Sequence, residues 1–112
     1  MVILRGMNKI AVLKKFAREL IEKSNGRVVN VFLFGSLAKG GLHEESDIDV
    51  LIVVNRKDDR LTRDIEDFFF DVMKIVGVFV SPTIIEKETF EEMLKEKYPF
   101  IANIEKEGIL LA

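Results

Sequence analysis

Asp47 and Asp49 stand one residue apart ahead of an apolar run, Val50 to Val54, and behind them in the chain lies a Gly-Ser pair, Gly35 and Ser36. On a strand, side chains alternate faces, so the two carboxylates point the same way with their Cα atoms about 6.5 Å apart. Carboxylates so placed repel each other unless a cation or a proton resolves them. Gly35-Ser36 closes a preceding apolar run, Val28 to Phe34, and is read as the start of a short helix, Ser36 to about Lys39. A glycine lets the backbone approach a ligand closely, and a helix start offers unpaired N–H groups to an anion. Ser36 can cap that helix or donate to a phosphate oxygen, and Lys39 can add positive charge. Two hard oxygen ligands beside a phosphate cradle suit Mg2+, which is commonly held by one or two carboxylates together with substrate phosphates. Each half also has a purely structural reading: an ordinary strand-to-helix turn for Gly35-Ser36, and the solvated beginning of a strand for Asp47 and Asp49. It is the combination that favours a ligand site. Gly35 to Gly40 is not a P-loop, because Gly41-Leu42 follows where that motif needs Lys and then Ser or Thr.

The elements that must hold these residues are legible from periodicity. A first helix is expected from about Met7 to Lys23, with Ile10, Leu13, Ala17, Leu20 and Ile21 on one stripe and Asn25-Gly26 as a left-handed stop. Val28 to Phe34 and Val50 to Val54 read as strands in the middle of a sheet. A long helix is expected from about Asp58 to Lys74, with a core stripe of Leu61, Ile65, Phe68 and Val72. Phe70 falls on its charged face beside Arg63, Glu66, Asp67 and Lys74, either as an exposed ring or as an anchor for a partner. A third strand runs from Val78 to Ile85, and Pro82 within it removes a ladder donor and predicts an edge, bulged or short strand. A helix from Glu88 to Lys97 with Phe90, Met93 and Leu94 inward, a break at Tyr98-Pro99, and a helical stretch with Ile101 and Ile104 ended by Gly108 lead to an apolar tail, Ile109 to Leu111.

Composition bounds the function. A chain of 112 residues with 48% hydrophobic content reads as one domain, residues 1–112, with enough apolar mass for a core. The net charge of −2 gives no electrostatic support to wrapping nucleic acid or coating a membrane. The apolar runs are too short to span a bilayer, and the first residues, MVILRGMNK, do not read as a signal peptide. Without cysteine there is neither disulfide nor thiolate metal site, which fits a cytoplasmic protein. His43, the one histidine, lies in the polar crossover between Gly41 and Glu45 and is read as a loop residue near the site, with a substrate contact as the alternative.

Gly35-Ser36-Leu37-Ala38-Lys39-Gly40 followed by Ser46-Asp47-Ile48-Asp49-Val50-Leu51-Ile52 resembles the signature of the DNA polymerase β-like nucleotidyltransferase superfamily. More closely, it is similar to the minimal nucleotidyltransferases (MNT) often encoded beside a helical HEPN protein. The resemblance extends over the whole chain. It implies an α/β (α+β) fold, a small mixed sheet flanked by helices. It implies that Asp47 and Asp49 bind Mg2+ and serve as the catalytic carboxylates, and that Gly35 and Ser36 hold a nucleoside triphosphate, ATP by family precedent. The reaction implied is attack by a hydroxyl on the α-phosphate with release of pyrophosphate. The acceptor implied is a hydroxyl on a partner protein, with a small helical HEPN-type toxin as partner and this chain as its antitoxin.

The family's third carboxylate sits on the strand after the long helix, and the position that corresponds here is Ser81. No Asp or Glu lies between Lys74 and Ile85. Glu86 and Glu88 read as the first turn of the following helix, where acids favour the macrodipole. Without the third carboxylate, deprotonation of the acceptor suffers most. The alternative function is therefore a catalytically weak or inactive module that binds a helical partner, or a site completed by a second chain. Base preference and oligomeric state, including a homo-oligomer, stay open in the sequence.

Overall fold

The structure, a computed structural model, describes residues 9–35, 38 and 47–112. Helix α1 (Lys9–Lys23) buries Leu13, Ala17 and Leu20, with Ile10 and Ile21 packed at the margin of the core, which is the expected stripe. It stops where Asn25 and Gly26 turn left-handed, at φ 55° and 83°. Ser24 ties that end to the next element: its hydroxyl donates to the Ile21 carbonyl at 2.7 Å and accepts from the Val28 N–H at 2.9 Å.

Strands β1 (Val28–Phe34) and β2 (Ile48–Val54) pair antiparallel, so the end of β1 lies beside the beginning of β2. Among the described residues these join a four-stranded mixed sheet of order β3-β2-β1-β4, in which β3 (Val80–Glu86) runs parallel to β2 and β4 (Ile109–Leu110) antiparallel to β1. The Pro82 strand is thus at an edge, as its missing donor requires. It begins at Val80, two residues later than expected, because Gly77 at φ 77° closes the preceding helix and Val78 and Phe79 form the connection.

That helix, α2 (Asp59–Val76), makes the crossover between the two parallel strands. Asp58 caps it, accepting from the Leu61 N–H at 2.8 Å, and the same carboxylate pairs with Arg27 at the foot of β1. Its buried stripe is Leu61, Ile65, Phe69, Val72 and Val76. The expected Phe68 is displaced by its neighbour, since i, i+4, i+8 from Leu61 falls on Phe69. Phe68 flanks the stripe instead, edge-on to Phe16 and Phe69 with centroids 6.4 and 5.3 Å away. Phe70 is 58% exposed with the Lys74 ammonium over its ring, as its charged face predicts.

The sheet is apolar on both faces. Val31, Leu33, Val50, Ile52 and Val54 pack toward α1 and α2. Leu51 and Val53 point the other way, onto helices α3 (Lys87–Lys95) and α4 (Pro99–Glu107) through Ile101, Ile104, Phe90, Met93 and Leu94. Glu86 does not join the first turn of α3 with Glu88: it ends β3, and its carboxylate accepts from the Lys57 N–H at 2.8 Å, tying the ends of β2 and β3. Pro99 both ends the approach from α3 and opens α4, where its missing N–H costs nothing. The expected apolar tail joins the sheet as β4, with Ile109 half-buried, Leu110 exposed and the following Leu111 buried. No helix among the described residues is long and apolar enough to cross a membrane.

Candidate active site

The antiparallel turn-back of β1 onto β2 is what assembles the site. Phe34 and Asp49 are register partners, so the residue after Phe34 comes alongside the Asp49 carboxylate. Gly35 takes φ 81°, and a Cβ built on it would stand 2.6 Å from Asp49 Oδ2, closer than real Cβ atoms come. Only a hydrogen fits there. Glycine is thus required twice at this position, by the left-handed backbone and by the carboxylate pressed against it.

Asp49 is half-buried on the same face as Leu51 and Val53, while Asp47 precedes the strand and is exposed. Burial raises the Asp49 pKa above the ordinary carboxylate range, and the nearby charge of Asp47 raises it further. Both causes say that a second negative charge at Asp49 is disfavoured as the site stands. A cation held by the two aspartates would relieve both, and their hard oxygen donors match Mg2+ chemistry. Across the sheet on the other side, Ser81 is the register partner of Asp49. The position where a third carboxylate was expected is therefore occupied by a hydroxyl adjacent to the aspartate it would have joined. Among the described residues, no cluster of three or more His, Cys, Asp or Glu is arranged to hold a metal. Ser36, Lys39 and His43, and the short helix expected from Ser36, lie outside the described residues.

A cavity of about 220 Å3 opens beside Gly35, lined by Phe34, Phe100, Asn103, Ile104, Glu107 and Gly108. Of its α4 residues, sequence reasoning named Ile104 as a core position and did not single out Phe100, Asn103 or Glu107. The available signal was Phe100, Asn103 and Glu107 at i, i+3 and i+7, one helical face next to the buried stripe of Ile101 and Ile104.

Residues 13–110 match the family model described as nucleotidyltransferase domain. The chain belongs to that family. This nucleotidyltransferase is 33% identical over 105 residues to a protein of Methanocaldococcus jannaschii provisionally named a protein adenylyltransferase, covering 94% of this chain and 99% of that one. It is 47% identical over 49 residues to a spectinomycin 9-adenylyltransferase of Staphylococcus aureus, an alignment covering 44% of this chain and 18% of that one. Among solved structures, the toxin-antitoxin MntA-HpeT mutant superposes with a TM-score of 0.55 at 13% identity, covering 88% of this chain and 72% of that one. That likeness concerns the fold. The nucleotidyltransferase family, the mixed sheet and the flanking helices expected from the sequence are thus all found.

Proposed function

We propose that this nucleotidyltransferase domain, taken as residues 1–112, transfers a nucleoside monophosphate, AMP from ATP, to a hydroxyl on a partner protein in the cytoplasm. Gly35 and Ser36 hold the triphosphate, and Asp47 and Asp49 are the catalytic carboxylates and the ligands of Mg2+. The acceptor oxygen forms a bond to the α-phosphorus as the bond to the departing pyrophosphate breaks, and the acceptor proton leaves to water or to a carboxylate of the partner. When bound, Mg2+ supplies charge neutralisation at the leaving oxygen and a lower pKa for the attacking hydroxyl. The observation that carries this reading is the Gly35–Asp49 contact, which brings the expected phosphate-binding turn and the expected metal ligand within one atom's width. The name of the M. jannaschii relative supports a protein acceptor, and the fold shared with a toxin-antitoxin protein fits the small HEPN-type helical partner, with this chain as antitoxin, that the sequence resemblance implies.

Ser81 favours a second reading, a module that binds nucleotide and partner but transfers slowly or not at all. Thermal unfolding with ATP, with and without Mg2+, tests what the two readings share. A ligand that binds only the folded state adds about 2.7 kcal/mol of stability at one hundred times its Kd. Wild type is expected to gain stability from ATP only when Mg2+ is present, and Asp49→Asn to lose that gain. Equal behaviour of the two proteins would remove the metal–nucleotide site. Transfer of labelled AMP to the partner then separates enzyme from binding module.

A further inference from the structure

Asp49 has two neighbours across the sheet, and they differ. On the β3 side stands Ser81, at the position where an acceptor hydroxyl would lose its proton; on the β1 side stand Phe34 and Gly35, beside the expected triphosphate. The cavity between the end of β1 and α4 opens on the second side and shares Phe34 and Gly35 with it. Its location is therefore that of the donor nucleotide, not of the acceptor.

Size narrows the occupant. An apolar cavity of about 150 Å3 accepts a benzene ring, and pockets for whole drug-sized ligands start near about 300 Å3. At about 220 Å3, this cavity suits a fused ring system rather than a complete nucleotide. Its walls suit one too. Phe34 and Phe100 meet edge-to-face with centroids 5.3 Å apart, and Phe100 remains 43% exposed, so aromatic surface is left for a base to contact. The Asn103 amide adds a donor and an acceptor on one planar group, the pattern that pairs with the N6 and N7 atoms of adenine. Guanine presents two acceptors at that edge and calls for Arg or Lys, and neither is among the described residues that line the cavity. The Glu107 carboxylate at the rim further disfavours a carbonyl edge.

We infer that this cavity seats the adenine ring of the donor nucleotide, with Phe34 and Phe100 against the ring and Asn103 reading its amino edge. The inference rests on the proposed triphosphate site at Gly35 and Asp49 and adds to it the selection of the base.

Equilibrium binding of ATP, GTP and inorganic tripolyphosphate, each with Mg2+, tests it on wild type, Asn103→Ala and Asp49→Asn. Asn103 is exposed, so its truncation leaves the fold intact, which the melting temperature checks. Wild type is expected to bind ATP about tenfold or more tighter than either GTP or tripolyphosphate. Asn103→Ala should erase the advantage over GTP, keep the part of the advantage over tripolyphosphate that the rings supply, and leave tripolyphosphate itself unchanged, whereas Asp49→Asn should weaken ATP and tripolyphosphate together. Wild type binding all three equally, or Asn103→Ala binding ATP as wild type does, overturns the base assignment alone. If Asp49→Asn keeps full tripolyphosphate affinity while Asn103→Ala loses ATP, the metal–phosphate reading fails and the cavity assignment survives. A wild-type protein that binds none of the three overturns both.

Discussion

Gly35 offers a substitution whose effect can be worked out beforehand, because a second glycine provides the control. Gly35 and Gly77 have nearly the same left-handed backbone, φ 81° and 77°. A Cβ at Gly77 meets nothing within 4 Å, whereas one at Gly35 stands 2.6 Å from Asp49 Oδ2. Left-handed backbone costs a residue with a Cβ about 1–2 kcal/mol. For a chain of 112 residues, 1 kcal/mol lowers the melting temperature by about 4 °C. Gly77→Ala should therefore melt about 4–8 °C lower and keep its Mg2+-dependent response to ATP. Gly35→Ala carries the same backbone cost and must also displace a carboxylate on a short side chain. If the strand yields, overpacking adds about 1–3 kcal/mol and the melting temperature falls further. If Asp49 rotates away instead, stability matches the control but the response to Mg2+ and ATP disappears. Circular dichroism melts of both variants, with and without Mg2+-ATP, distinguish these outcomes. A Gly35→Ala protein that melts with the control and retains the full ligand response would refute the claim that the Gly35–Asp49 contact shapes the site.

Ser81→Asp restores a carboxylate next to Asp49 in the sheet register, and general base catalysis contributes about 10²–10⁴-fold. With an acceptor that brings no group to take the proton, transfer of labelled AMP should accelerate within that range, and an unchanged rate there would mean that Ser81 does not limit the reaction. At Asp58, the Leu61 N–H first, and Arg27 second, hold the carboxylate below its ordinary pKa. A folded pKa below the unfolded one stabilises above the unfolded value, about 3.9, and that contribution vanishes as pH falls through the folded value. Asp58→Asn keeps an N-cap but cannot titrate, so its melting temperature should decline less steeply than wild type below about pH 4; parallel acid limbs would show that the cap charge contributes nothing.

The core strands were legible because nothing competes with their pattern: Val28 to Phe34 and Val50 to Val54 are buried between helices on both faces, and such runs have one reading. Pro82 announced the edge strand for the same local reason. The errors fall where two neighbours can serve equally by type. Phe68 and Phe69 are the same residue, and only the exact phase of α2, set by its Asp58 cap and the Arg27 pairing beneath it, decides which ring is buried. Glu86 looked like a helix-start acid because its identity suits that place, but its carboxylate serves a backbone N–H 29 residues away. Long-range partners of this kind have no local signature. The same limit hid the cavity, whose Phe34 and Asn103 are far apart in the sequence.

The two sides of Asp49 carry different burdens, and the sheet order explains why one can be incomplete. Toward β1 the neighbour is an interior strand, flanked again by β4 and covered by α4, so everything needed on that side must come from this chain. There the contact with Gly35 is tight and a cavity is formed. Toward β3 the neighbour is the edge strand, and no described strand pairs with its outer side. An edge can be approached by a second chain in a way that an interior strand cannot. A carboxylate missing at Ser81 is thus missing on the side of the site where no described strand covers the sheet edge. Under the proposed function, this geometry fits a division in which the chain holds the nucleotide and the acceptor brings its hydroxyl, and a group to accept the proton, across the β3 edge. Ser81→Asp distinguishes the cases: with a partner that already supplies the base, the added carboxylate gives no gain, whereas in transfer to a partner lacking that group it does.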